Sequence, residues 1–195
     1  MRILPIVEGP GDVEAVPVLV RNTLSRNELH EIKVLTPHRR GDIYRVRRNL
    51  VSDYREALTE EAAILWTFDC DDGCAMEVAN ELRDALSEEQ QPFPLRFALF
   101  VREFEGLFLA EQAAASQRLE IKEGAIFPED PEAIRAAKAW LSERMPRGKA
   151  YKPTVHQAAI TARLNLDVLS ATSRSYRHFE KAVLELARLV RQDGR

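Results

Sequence analysis

"AAILWTFDCDDG" (residues 62–73) is a run of apolar residues, broken only by Thr67, that gives way abruptly to three aspartates and a glycine. A strand with one face in water alternates apolar and polar residues; a near-continuous apolar run is buried on both faces. Such a strand needs helices above and below it. "LPIVEGPGD" (4–12) and "LRFALFVREFEG" (95–106) have the same form, each an apolar run that ends in a carboxylate. Between these strands, at 3–8, 62–69 and 95–101, the spacing turns helical. Val16, Leu19, Val20 and Leu24 mark one helix, with Asp12 as its expected N-cap; Ala75, Val78, Ala79, Leu82, Ala85 and Leu86 mark another. A short strand is read at 31–35 ("EIKVL"), a charged helix over about 42–61, and a further helix through Phe104, Leu107 and Phe108. Strands alternating with helices imply parallel pairing through right-handed crossovers, hence a mainly parallel α/β sheet flanked by helices.

The chain has 195 residues, of which 45% are hydrophobic and 30% charged, the balance of a globular domain. We read 1–116 as a Rossmann-like α/β core and 117–195 as a helical extension packed on it as one unit. In the extension, Ile134, Ala137 and Leu141 share one helix side, and Tyr176, Phe179, Val183, Leu186 and Val190 share another. No apolar run approaches the ~20 residues of a membrane helix. Cys70 and Cys74, with no cysteine or histidine cluster near them, read as reduced thiols of a cytoplasmic protein, Cys70 pointing into the core.

In open α/β sheets, ligands bind at the carboxyl ends of the strands. Glu8 and Asp12, then Asp69, Asp71 and Asp72, then Glu103 and Glu105, all fall at such ends. Converging carboxylates repel one another unless a cation neutralises them. Oxygen-only donors favour Mg²⁺ or Mn²⁺, one ion or two, and paired ions support phosphodiester cleavage. Each group has a plainer reading alone: Asp12 as a helix cap, "DCDDG" as a turn, Glu103 and Glu105 as first-turn acids answering a helix dipole. Their repetition at three successive strand ends favours the metal site.

Net charge is −3, so any nucleic-acid surface must be local. "HRRGDIYRVRR" (38–48) contains five arginines, and Arg144, Arg147, Lys149 and Lys152 form a second cluster, Arg174, Arg177 and Lys181 a third. Arg39, Arg40, Arg45, Arg147, Lys149 and Arg174 are the candidate phosphate contacts. The competing reading of 38–48 is a solvated helix face paired with Glu56, Glu60 and Glu61. Tyr44, Tyr151 and Tyr176 lie among these cations, where they would stack on bases or pack in the core. His156, four residues after Lys152, is a candidate proton donor.

The order "EGPGD", "DCD", "EFEGLFLA" resembles the TOPRIM fold of topoisomerases, primases and related nucleases, in the branch of the OLD nucleases. The stretches "KAYKPTVHQAAI" and "SRSYRHFEKAV" are similar to the tail of the small TOPRIM-like family DUF4276. The resemblance implies a Mg²⁺-dependent nuclease or other phosphoryl-transfer enzyme acting on nucleic acid, DNA ahead of RNA, as effector of a prokaryotic defence module. It implies Glu8, Asp12 and Asp69 on one ion and Asp71, Glu103 and Glu105 on a second, with Glu8 also catalytic and Lys152 the assisting lysine ahead of Lys149. The tight turn after Glu8 would let backbone and phosphate approach closely. OLD proteins carry an ATPase domain; no G-x-x-x-x-G-K-[ST] occurs here, which points to a separate ATPase partner. Two alternatives stand beside this: a haloacid-dehalogenase-like phosphatase with Asp69 as nucleophile, and a non-catalytic regulatory or protein-binding module.

Overall fold

The computed structural model describes residues 1–193; Gly194 and Arg195, the end of the extension read at 117–195, lie outside the described residues. Five strands form one sheet: β1 (Arg2–Val7), β2 (Lys33–Val34), β3 (His38–Arg39), β4 (Ala63–Cys70) and β5 (Leu95–Val101). Every pairing is parallel, in the order β2-β1-β4-β5, with β3 alongside the far end of β1. The strand expected at 31–35 is shortened to Lys33–Val34, and a second short strand, not expected, follows at His38–Arg39. Pro37, with no N–H to donate, interrupts the ladder between Val34 and His38, and pairing resumes at Ile6–His38 and Val7–Arg39.

Alternation along the strands sorts the core into two layers. Leu4, Ile6, Ile64, Trp66, Phe68, Cys70, Phe97 and Leu99 face α2 (Ile43–Leu58) and α3 (Ala75–Ala85). Ile3, Val7, Ala63, Leu65, Ala98 and Phe100 face α1 (Asp12–Arg26) and the C-terminal helices. Cys70 is buried in the first layer, as expected. On the second face α4 (Gly106–Ala110) and α5 (Gln112–Leu119) are followed by a 3-10 turn at Pro131–Ala133. Then come α6 (Ala137–Arg144), α7 (Pro153–Thr161), α8 (Leu166–Thr172) and α9 (Arg174–Asp193). Phe179, Val183 and Leu186 of α9 share the apolar cluster of Phe100 and Ala98, so α9 lies across the sheet. No helix among the described residues is long and apolar enough to cross a membrane.

The turn after β1 shows what its glycines do. Gly11 begins α1 with φ −69°, a conformation open to any residue. Its need is spatial: a Cβ there would fall against Gln157 Oε1 and within 2.6 Å of Pro153 Cβ. The close neighbour is α7, where the sequence suggested a phosphate. Gly11→Ala should therefore cost about 1–3 kcal/mol by overpacking, read as a lower urea midpoint at unchanged slope.

Candidate metal centre

The register carries the acids to one rim. Ile6 pairs with Trp66 and Asp69 with Phe100, so Glu8, Asp69 and Glu103 leave the sheet together at its carboxyl edge. Glu8 Oε2 accepts the Asp69 amide at 3.1 Å, and Asp69 Oδ1 accepts the Phe104 amide at 2.8 Å. Between β5 and α4 the chain passes through Arg102 at φ 65°, the left-handed region a non-glycine residue enters only at a cost. That turn folds Glu103 and Glu105 back beside Asp69 instead of letting them run on into solvent.

At the focus stands a residue that sequence reasoning missed. Lys138 Nζ lies 3.3 Å from Asp69 Oδ2, 3.1 Å from Glu103 Oε1 and 3.1 Å from Glu105 Oε2. The Lys138 amide also donates to Glu103 Oε2 at 3.0 Å, fixing the first turn of α6. Glu105 is fully buried; its Oε1 accepts the Tyr151 hydroxyl at 3.0 Å, while its Oε2 has the nearby ammonium but no hydrogen bond of good geometry. A signal for Lys138 existed: four residues after Ile134 and three before Leu141, it interrupts the apolar side of α6.

Asp12 is not the N-cap of α1, a place taken by Gly11. Its carboxylate turns back to accept the Gly9 amide at 2.8 Å and reaches across to Gln157 Nε2 at 2.6 Å. Asp69, Glu103 and Glu105 thus share one cation, with Glu8 and Asp12 on the flank, a grouping unlike the two triads implied by the resemblance. Asp71 is exposed, and Asp72 pairs with Arg102 at 3.0 Å and Arg135 at 2.9 Å, away from the cluster. Lys152 is exposed at the start of α7, with no ion pair to any of these acids; its amide donates to His156 Nδ1 at 3.0 Å.

Charge follows geometry. Burial pushes the Glu8 carboxyl up from its ordinary 4.5 to about 7, with Asp12 and Asp71 adding repulsion against the Asp69 amide and Lys138. Burial likewise raises Asp12, Glu105 and, most of all, Asp69, with Lys138 opposing each. Lys138 itself is held protonated: its burial is outweighed by Glu105, Asp69 and Glu103.

Two observations bear on a divalent ion. The donors are all oxygen and Glu105 Oε2 lacks a hydrogen bond, which suits Mg²⁺ or Mn²⁺. Yet no three His, Cys, Asp or Glu side chains among the described residues are arranged to share an ion. Lys138 takes the focus. A divalent cation held by Asp69, Glu103 and Glu105 would require Lys138 to move aside and the three carboxylates to draw closer together.

The candidate phosphate contacts divide. Arg40 is engaged by Glu56 at 2.7 Å and Asp53 at 3.5 Å, and His38 by Glu60 at 3.4 Å, so this part of 38–48 follows the paired reading. Lys149 binds Glu120 at 2.7 Å and Arg174 binds Glu132 at 3.2 Å. Arg39, Arg45 and Arg147 are exposed and carry no ion pair among the described residues.

Comparison with known proteins identifies the family. The family model described as "Domain of unknown function (DUF4276)" matches residues 7–184, and the chain belongs to that family. Among solved structures it is similar to the C-terminal region of the Xanthomonas campestris pv. campestris OLD protein, with 14% identity over 97% of each chain and a TM-score of 0.46. No curated protein matches.

The raised Glu8 carboxyl fixes the sign of a pH effect. A folded-state value above the unfolded one contributes stability that is full below about pH 4.5 and lost as pH rises through about 7. Glu8→Gln should therefore leave the metal-free protein unchanged near pH 4 and more stable at pH 8. Screening of this half-buried group limits the gain to about 1 kcal/mol, read from chemical denaturation at the two pH values.

Proposed function

We propose that this protein is a TOPRIM-type, divalent-metal-dependent hydrolase of phosphodiester bonds in nucleic acid, DNA ahead of RNA. The observation that carries the reading is the convergence of Glu8, Asp12, Asp69, Glu103 and Glu105 on one rim of a parallel sheet. Like charges brought together at the cost of burial call for a cation. Mg²⁺ or Mn²⁺ held by Asp69, Glu103 and Glu105 would act as a Lewis acid on the phosphate and acidify a water. Everything else is the work of this chain. Glu8, titrating near neutrality, suits a group that takes a proton from water and returns it. Lys138 offers its ammonium to the charge that builds on the phosphate, the part that the resemblance gave to Lys152. Tyr151 holds Glu105 in orientation. Arg39, Arg45 and Arg147 would contact the phosphates to either side. In this reading a partner ATPase would supply any ATP-driven step, as in a prokaryotic defence module.

One observation favours a second reading, a non-catalytic module: Lys138 already neutralises the acids without a metal. Incubation of supercoiled plasmid and of circular single-stranded DNA with Mg²⁺ or Mn²⁺ separates the two. The nuclease reading expects nicking that falls about a hundredfold or more in Asp69→Ala, beyond the 10–100-fold typical for groups that only support a ligand. Nicking that persists unchanged in Asp69→Ala overturns it. Absence of both nicking and Mn²⁺ binding in the wild type establishes the module.

A further inference from the structure

Next to the acids lies a cleft of about 70 Å³ whose walls differ in kind. Asp69, Cys70, Asp71 and Asp72 form one side, and Ile43, Tyr44 and Arg47 at the start of α2 form the other. Of the tyrosines set among basic residues, Tyr151 and Tyr176 are buried, bonded to Glu105 and Thr23, and serve the core. Tyr44 is 72% exposed and makes no hydrogen bond among the described residues. An exposed aromatic ring lining an anionic cleft offers a flat face on which a base can stack. Its neighbours are cationic. Arg45 and Arg48 are exposed and free of ion pairs among the described residues, and Arg47 is held in place by two bonds to Glu81 at 2.8 and 2.6 Å. One turn along, about 5.4 Å away, a groove of about 350 Å³ is lined by Arg47, Arg48, Asn49, Ser52 and Arg55.

We propose that Tyr44 is a stacking platform for an unpaired base, and that the substrate enters this cleft as a single strand. This deepens the nuclease reading and rests on it. A cleft of this size admits a phosphodiester group, not a base pair. A strand whose phosphate lies by Asp69 and Asp71 can lay its next base on Tyr44 and carry its following phosphates along Arg48. Stacking on an aromatic ring is indifferent to base identity, so the preference is for strandedness and not for sequence. Tyr44 is a specificity residue here and takes no part in bond breaking.

The test is binding of a 2-aminopurine-labelled single-stranded oligonucleotide and of its duplex, without turnover in Ca²⁺ and alongside cleavage in Mg²⁺. Because Tyr44 is on the surface, its variants should fold as the wild type does. Tyr44→Ala should weaken single-strand binding about tenfold and leave duplex binding unmoved, while Tyr44→Trp keeps the affinity and quenches the fluorophore. Wild-type affinity in Tyr44→Ala, or an equal loss for both forms, overturns the stacking role while the nuclease reading stands. A wild-type protein that neither binds nor cuts any nucleic acid overturns both.

Discussion

One constraint organises this molecule: carboxylates that sequence places at separate strand ends are delivered to a single rim, where they cannot all stay charged without a cation. In this structure the cation is Lys138, and its three short ion pairs tie the end of β4 and the turn after β5 to α6. That tie reaches far beyond the site. It positions α6 through the Lys138 amide on Glu103, and Tyr151, on the loop that leads into α7, joins the same cluster through Glu105. Asp12 adds a strut from the start of α1 to Gln157 of α7. The C-terminal helices are thus anchored to the sheet by its acids as well as by apolar packing.

A lysine at this focus has a further consequence. An ammonium and a divalent ion answer the same field, so they compete for the same oxygens. Buried carboxylates without either would take up protons, and the raised values of Glu8, Asp69 and Glu105 are the record of that tendency. Lys138 lets the chain fold with its acids gathered, because it makes their ionised forms tolerable. For the metal of the proposed function, its partly exposed position and long stem would let it yield more easily than a buried arginine fork.

The rim itself is legible in the amino-acid sequence. The strands at 62–69 and 95–101 are apolar but for Thr67 and Arg96 because both faces are covered, and the acids at and beyond their ends stand out for that reason. What the sequence hides depends on partners remote along the chain. Lys138 gains its meaning only when α6 is laid beside β4, 69 positions away from Asp69. The same limit applies to the basic segments. Residue type marks Arg40, Lys149 and Arg174 as candidate phosphate contacts, yet each is matched to a carboxylate by tertiary packing. The glycines of "EGPGD" are legible as a place of close approach, but not as the seat of α7, since Gln157 comes 145 residues after Asp12.

The unequal treatment of these cations points to how the surface is divided. Where arginines and lysines are paired, they connect elements: Arg40 joins β3 to α2, Lys149 joins its loop to the end of α5, Arg174 joins α9 to the 3-10 turn. Of the cations that carry no ion pair among the described residues, Arg39, Arg45 and Arg48 lie in β3 and the first turns of α2. This is the side of the sheet edge on which Asp69 and Asp71 open towards Tyr44. A chain of net negative charge thus sets three unpaired arginines close to its gathered carboxylates. Under the proposed function this juxtaposition would draw a polyanion in along one flank and meet it with a cation at the rim.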